Sequence, residues 1–322
     1  MFIKTSFFLV DVFKKRVIIF RQSKTNPNTP KMEDTIMSYR IIADSCCDKT
    51  ARMADWENIT FVPLTLEIGN YSILDDENFD QDDYIRRTLE YSDVAKTACP
   101  SPDAWAEAID CEEEEIYLLT ITDKLSGTYN SALQGVMLYK EEHPESNKKI
   151  HVFNSLATSG IESLTAEKIK ELADSGESFE SIVSTVEDYI INHCALYFCL
   201  ESLDVLRKNG RLFALAATIL KKLRLKMIFE RTQQGNISLV GQDIVMNRSL
   251  TKMAGIIAEN VQGIDLSDKR LIISHVCCRE KAEFLKEKIA AKVQFGDVEI
   301  VKCSGLNSTY ASNGGIIVSY SK

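Results

Sequence analysis

The sequence predicts an α/β protein in two parts: a Rossmann-like parallel-sheet domain over residues 37–165 and an α+β domain over 166–322, with a ligand crevice between them. Three observations carry this. Apolar strands alternate with helical segments through the first half, the pattern of a right-handed parallel sheet. The second half turns to a hairpin signal, Gln234-Gly235-Asn236 between two apolar runs. Finally, two short polar stretches, Lys96–Pro102 and Leu118–Tyr129, each precede a helix and offer hydroxyls. They fall at strand ends, where open α/β sheets bind ligands.

Tyr39–Ser45 reads as a strand running into a polar turn, and Ile59–Ile68 as one extended segment around Pro63, closed by Gly69-Asn70. Asp80–Glu90 is helical, with Asp82 and Asp83 favourably placed in its first turn. Ser101 N-caps a helix over Pro102–Ile109, and proline suits its first position. Glu115–Ile121 is an unbroken apolar run of the kind buried in a parallel sheet, followed by a helix over Thr128–Glu142. A strand over Lys149–Asn154 and a helix over Ile161–Ala173 complete the first half. Cys194–Leu200 is apolar throughout, and Ser202–Arg211 reads as a short helix ended by Gly210. Helix 250–262, strand 271–276, helix 279–292 and strand 298–302 follow.

Composition narrows the function classes. The chain has 322 residues, 45% hydrophobic and 26% charged, which is globular, and a net charge of -9. That balance argues against a nucleic-acid partner, which needs a strongly basic surface. Nine cysteines without regular spacing predict reduced thiols in the cytoplasm, and four scattered histidines predict no zinc site. Residues 1–36 hold seven Lys/Arg and three Asp/Glu; they read as an extension, disordered or a mis-assigned start, ahead of Met37. The apolar stretch Phe2–Phe20 is broken by charges, so no integral membrane segment is expected.

The candidate ligand residues sit in the polar stretches. Ser126 follows the third strand, Gly127 lets the chain approach a ligand, and Thr128 opens the next helix. A helix start leaves N–H groups unpaired and carries positive potential, so an anion is a natural guest. The plainer reading is that Ser126 only caps the helix. Thr97 and Ser45 face the same choice as turn residues. Arg211, after Asn209-Gly210, either supplies charge to an anion or partner, or bonds the last helix carbonyls. A serine hydrolase would need a histidine base beside Ser126, and no motif places His143, His151, His193 or His275 there. No dinucleotide fingerprint or phosphate loop occurs, so no cofactor is expected.

These residues, in this order, resemble the fatty-acid-binding proteins of the DegV family from about Tyr39 to Tyr320. The family's opening Asp-Ser-Thr appears as Asp44-Ser45-Cys46, and its Thr-Ser-Gln-Pro-Ser turn as Thr97–Ser101. Its most specific motif is intact at Leu125–Tyr129, with Ser131-Ala132 following; Gly-Gly-Arg is represented by Asn209-Gly210-Arg211. The resemblance implies the DegV-like two-domain fold, with a long-chain fatty acid, palmitate-like, in a tunnel between the domains. Its carboxylate would be held by Thr97 and Ser126. It implies a binding subunit, not an enzyme, that in some members presents the acid to a separate fatty acid kinase, with Arg248 at the docking surface. Three departures stand out. Thr122-Asp123 replaces two serines, Cys46 replaces a threonine, and Tyr310–Gly314 replaces a histidine-containing motif, so that Tyr310 stands where a histidine would neighbour the carboxylate. Two other readings compete: an enzyme or sensor for a small carboxylated or phosphorylated ligand in the same crevice, and an interaction protein with a degenerate site.

Overall fold

A computed structural model describes residues 38–212 and 225–322. The extension over 1–36 lies outside the described residues. Strand β1 (Tyr39–Asp44) lies between β2 (Ile59–Val62) and β6 (Glu115–Thr120), and β7 (Lys149–Asn154) extends the sheet beyond β6; all three pairings are parallel. Helices α2 (Pro102–Ile109) and α3 (Thr128–Glu142) cover one face of this sheet, and α4 (Gly160–Asp174) and α5 (Phe179–Asn192) the other. The unbroken apolar runs follow from this double covering. Ile42, Ile116 and Leu118 pack towards Trp105 of α2, while Ile41, Tyr117 and Leu119 pack towards Ile169 and Ile182.

The second half forms a six-stranded mixed sheet in the order β10-β9-β8-β13-β11-β12. Its strands are β8 (Cys194–Cys199), β9 (Lys226–Arg231), β10 (Ile237–Asp243), β11 (Arg270–His275), β12 (Asp297–Lys302) and β13 (Ile316–Ser321). One face is covered by α7 (Met246–Asn260) and α8 (Arg279–Ala290), which bury Tyr197, Leu271, Ile273 and Val318. The other face carries Leu196, Phe198, Phe229, Ile272 and Ile317 into a central core shared with Ile121, Ala157, Ile161 and Leu164. Helix α4 contacts strands of both sheets, and a boundary between 165 and 166 falls inside it. No helix among the described residues is long and apolar enough to cross a membrane.

The structure corrects the sequence reading in one place that matters for the site. Ile59–Ile68 is two strands in different sheets, because Pro63 interrupts the pairing. The second, β3 (Thr65–Ile68), pairs antiparallel with β4 (Tyr71–Leu74) and with a short strand β5 (Lys96–Ala98) in a separate three-stranded sheet. Thr97 therefore sits on a strand opposite Leu66, not in a turn opening a helix. Helix α5, the short helix α9 (Gly305–Ala311) and strand β13 lacked sequence expectations altogether. The remaining helices are α1 (Gln81–Glu90), N-capped by the Asp80 carboxylate, and α6 (Asp204–Lys208).

Candidate functional site

Between the parallel sheet and the inner face of the mixed sheet lies a cavity of about 300 Å³. Its walls are mostly apolar: Leu196, Phe198 and Leu200 from β8 and its exit, Ile237 and Ile317 from the same sheet, and Ile121, Leu125, Leu156 and Ala157 from the loops of the parallel sheet. Alternation along β8 explains the first three, since every second side chain faces the same way. The volume is at the lower end of the range for small-molecule sites.

Several of the polar groups on this cavity come from the residues singled out above. Thr97, Ser126, Gly127, Tyr310 and Arg211 all line it. The Thr97 hydroxyl lies 3.1 Å from the Tyr310 hydroxyl, each able to donate. Ser126 Oγ is 2.8 Å from Thr128 Oγ1 and accepts the Thr128 N–H at 3.3 Å. Ser126 thus stands one residue ahead of Gly127, the N-cap of α3, accepts the first N–H of that helix and borders the cavity. Thr128 is fully buried and does not line the cavity; it positions Ser126 instead. A Cβ on Gly127 would meet Cys99 Sγ at 3.6 Å, so the strand bearing Thr97 and the loop bearing Ser126 run side by side.

Ser45 lies off this cavity. It is buried, accepts the Leu64 N–H at 3.0 Å, and does not line the cavity; its hydroxyl holds the β1 loop to the segment before β3. Arg248 lies on α7, pairs with Asp243 at 3.2 Å and is solvent-exposed, away from the cavity lining. Arg211 donates from Nε to the Leu125 carbonyl at 3.1 Å and from Nη1 to the Asn209 carbonyl, joining a helix end to the Ser126 loop. Asp123, close in sequence to the anion-binding candidate, faces Lys124 and Asn154 at 2.9 Å each. Burial raises its pKa, but those two bonds outweigh it and the net shift is downward. Its charge is therefore matched locally. A more polar depression of about 450 Å³ adjoins the cavity at Ser126, Gly127 and Arg211.

Sequence reasoning missed Thr122, Thr158, Asn307 and Arg231, which also line the cavity. Thr158 donates to Asn307 Oδ1 at 2.7 Å, and Asn307 Nδ2 donates to the Cys46 carbonyl at 2.7 Å and to Asp48 at 2.9 Å. Nothing local marks these residues, because each bonds to partners distant in sequence: Thr122 to Gly235, Thr158 to Asn307, Asn307 to Cys46 and Arg231 to Ile190 and Cys194. Helix α9, which carries Asn307 and Tyr310, is held at its start by buried carboxylates. Asp75 accepts the N–H groups of Gly305 and Leu306 at 2.7 and 2.9 Å, and Asp48 accepts that of Ser304 at 2.7 Å.

Burial pushes the Asp75 pKa up to about 6, only partly opposed by those N–H bonds. A carboxyl with a raised folded-state pKa contributes stability below its unfolded value near 4, and that contribution is lost as pH rises through about 6. The wild-type protein minus Asp75→Asn should thus lose on the order of 3 kcal/mol of relative stability between pH 4 and pH 7. Urea unfolding of both proteins across that window checks it; a pH-independent difference would contradict the assignment. All nine cysteines are free thiols. Cys46 and Glu162 are fully buried beside Asp44, where burial first and the Asp44 charge second push both well above their ordinary pKa values.

Fold and site together define an α/β protein with a mostly apolar cavity between its sheets, lined in part by hydroxyls. The sequence model of the DegV family, described as uncharacterised proteins, matches residues 38–322. The chain belongs to the DegV family. A DegV domain-containing protein of Streptococcus pneumoniae is 32% identical over 290 residues, 88% of this chain and 99% of that one. Among solved structures, a DegV family protein from Ruminococcus gnavus, with vaccenic acid, is similar at a TM-score of 0.81 and 38% identity, over 88% of this chain and 99% of that one. The Streptococcus pneumoniae Fatty Acid Kinase (Fak) B3 protein, loaded with linoleic acid, is similar at 0.79 and 32% identity over the same shares. A DegV family protein from Eubacterium eligens, loaded with heptadecanoic acid, is similar at 0.79 and 29% identity, over 88% and 100%.

Proposed function

We propose that this protein binds a long-chain fatty acid in the cavity between its two sheets, the carboxylate resting on Thr97, Ser126 and Tyr310. The observation that carries this reading is a mostly apolar cavity lined by three hydroxyl residues from separate elements, Thr97, Ser126 and Tyr310, with the Thr97 and Tyr310 hydroxyls 3.1 Å apart. Each buried methylene contributes roughly 0.8 kcal/mol, so the tail supplies affinity. A carboxylate stripped of water needs donors in its place, and hydroxyls provide them without a counter-charge. The fatty acids bound by the relatives at 29–38% identity support the same ligand class.

On this reading the protein is a carrier and not a catalyst. The name of the pneumococcal relative supports a fatty acid kinase as partner, with Arg248 on the exposed surface and Arg211 at the cavity rim as contacts. Nine free thiols fit a cytoplasmic setting. A small polar ligand fits less well, because much of the lining is leucine, isoleucine, alanine and phenylalanine. Organic extraction of the purified protein followed by mass spectrometry tests the proposal. A co-purifying fatty acid near one per chain is expected; an empty protein that takes up no added acyl chain would refute it.

A further inference from the structure

We infer that Asp44, Cys46 and Glu162 form a buried structural site for a thiophilic divalent cation, with zinc the ion that suits it best. This goes beyond the fatty-acid reading and does not rest on it.

The three residues come from the end of β1, the loop after it and the first turn of α4, and all are fully buried. One carboxylate oxygen of Asp44, the Cys46 sulfur and one carboxylate oxygen of Glu162 lie within 4.8 Å of one another. Zinc bonds of about 2.0 Å to oxygen and 2.3 Å to sulfur place tetrahedral ligands about 3.3–3.8 Å apart, so small side-chain rotations close the set. A thiolate beside carboxylates selects zinc over magnesium or calcium. The resembled family carries threonine where this chain has Cys46, so the sulfur is a property of this chain.

Glu162 is the residue that points to a guest. Both its oxygens are buried, and neither has a hydrogen-bond donor among the described residues. Helix α4 packs on α5 and on β1, β6, β8, β11 and β13, all of them described. The groups acting on Glu162 are the Asp44 and Asp48 carboxylates, and among the described residues no lysine, arginine or histidine pairs with it. A single proton shared with Asp44 would satisfy one Glu162 oxygen and leave the other bare. A cation takes both, with Glu162 bidentate as two of four contacts. Burial and the Asp44 charge keep Cys46 and Glu162 protonated in the metal-free chain, and both protons leave to solvent as the ion binds.

The surroundings suit a held ion. Asp44 accepts the N–H groups of Cys46 and Ile121 at 2.8 Å each, which fixes its carboxylate. These N–H groups and the start of α4 offset the one negative charge left over when two carboxylates and a thiolate meet a divalent ion. The ion would fasten α4 to β1. Ile121, held by Asp44, and Asn307, held by the Cys46 carbonyl, both line the cavity. The histidine count gave no sign of this site, because no ligand in it is a histidine.

Elemental analysis of the full chain, refolded from guanidinium with excess Zn²⁺ and desalted, tests this. About one zinc per chain is expected, with Tm about 5 °C or more above that of protein refolded with a chelator. Cys46→Thr should lose both the zinc and the gain in Tm, and it should abolish the thiolate-to-metal absorption that Co²⁺ gives in the wild-type protein. Glu162→Gln separates an ion from a shared proton. It should remove the zinc and lower Tm, whereas a shared proton would leave Tm unchanged or raised, since the amide donates the same bond. Wild-type protein without zinc, zinc retained in Cys46→Thr, or an undiminished Tm in Glu162→Gln each overturns the inference. If the variants fail to fold, the zinc content and Tm gain of the wild-type protein decide alone.

Discussion

Replacing Thr97 and Ser126 together with alanine is expected to weaken long-chain fatty acid binding by about 100-fold or more. A hydrogen bond to a charged group contributes about 1.5–3 kcal/mol, so losing two costs two or more orders of magnitude in affinity. The single variants should differ in kind. Thr97→Ala leaves the Tyr310 hydroxyl, its partner at 3.1 Å, free to turn to the carboxylate, which softens the loss. Ser126→Ala also removes the acceptor for the Thr128 N–H and so costs about 1 kcal/mol of stability as a lost hydrogen bond. Displacement of a fluorescent fatty acid measures the affinities, and thermal unfolding separates the stability effect from the ligand effect. Unchanged affinity in the double variant would remove the hydroxyl clamp.

The largest stability effect is expected at Arg270. This side chain is nearly buried at the start of β11 and pairs with Glu167 of α4 at 3.3 Å, with Asp297 at 2.6 Å and with Glu299. Arg52 reaches the same acids, at 3.6 Å from Glu167 and 2.7 Å from Asp297. The group thus fastens α4 to the edge of the mixed sheet, and α4 also packs on the parallel sheet. Burial raises the Glu167 pKa, although Arg270 and Arg52 beside it pull the other way. Arg270→Met keeps the bulk but strands a buried carboxylate, which costs about 3–5 kcal/mol. Calorimetry should show Tm falling by about 10 °C, whereas Arg52→Met, at an exposed position, should cost under about 1 kcal/mol. Equal effects of the two substitutions would mean that burial does not govern this network.

How much of this was legible beforehand depended on whether the signal was local. Helices α2 and α3 and strand β7 were legible to the residue, because Ser101-Pro102 marks a start and apolar runs mark buried strands. The Ser126 loop was legible for the same reason: hydroxyl, glycine and strand end are all sequence neighbours. Tyr310 was placed through family resemblance alone, for α9 is a short helix with no side-chain cap bond of its own. Its anchors, Asp48 and Asp75, lie more than 200 positions upstream. Ser45 was ambiguous because a polar residue after a strand serves the backbone or a ligand equally well. Here the Leu64 N–H claims it. Arg231 gave no sign at all, since an arginine closing a hairpin strand is ordinary until the cavity beside it is known.

The crystal structure of the protein with hexadecanoic acid bound tests the central claim most directly. The acyl chain should run along Leu196, Phe198 and Leu200, with a carboxylate oxygen within about 3.2 Å of the hydroxyls of Thr97 and Ser126. A carboxylate seated on Arg231 instead, or an acyl chain bound outside the space between the sheets, would contradict it.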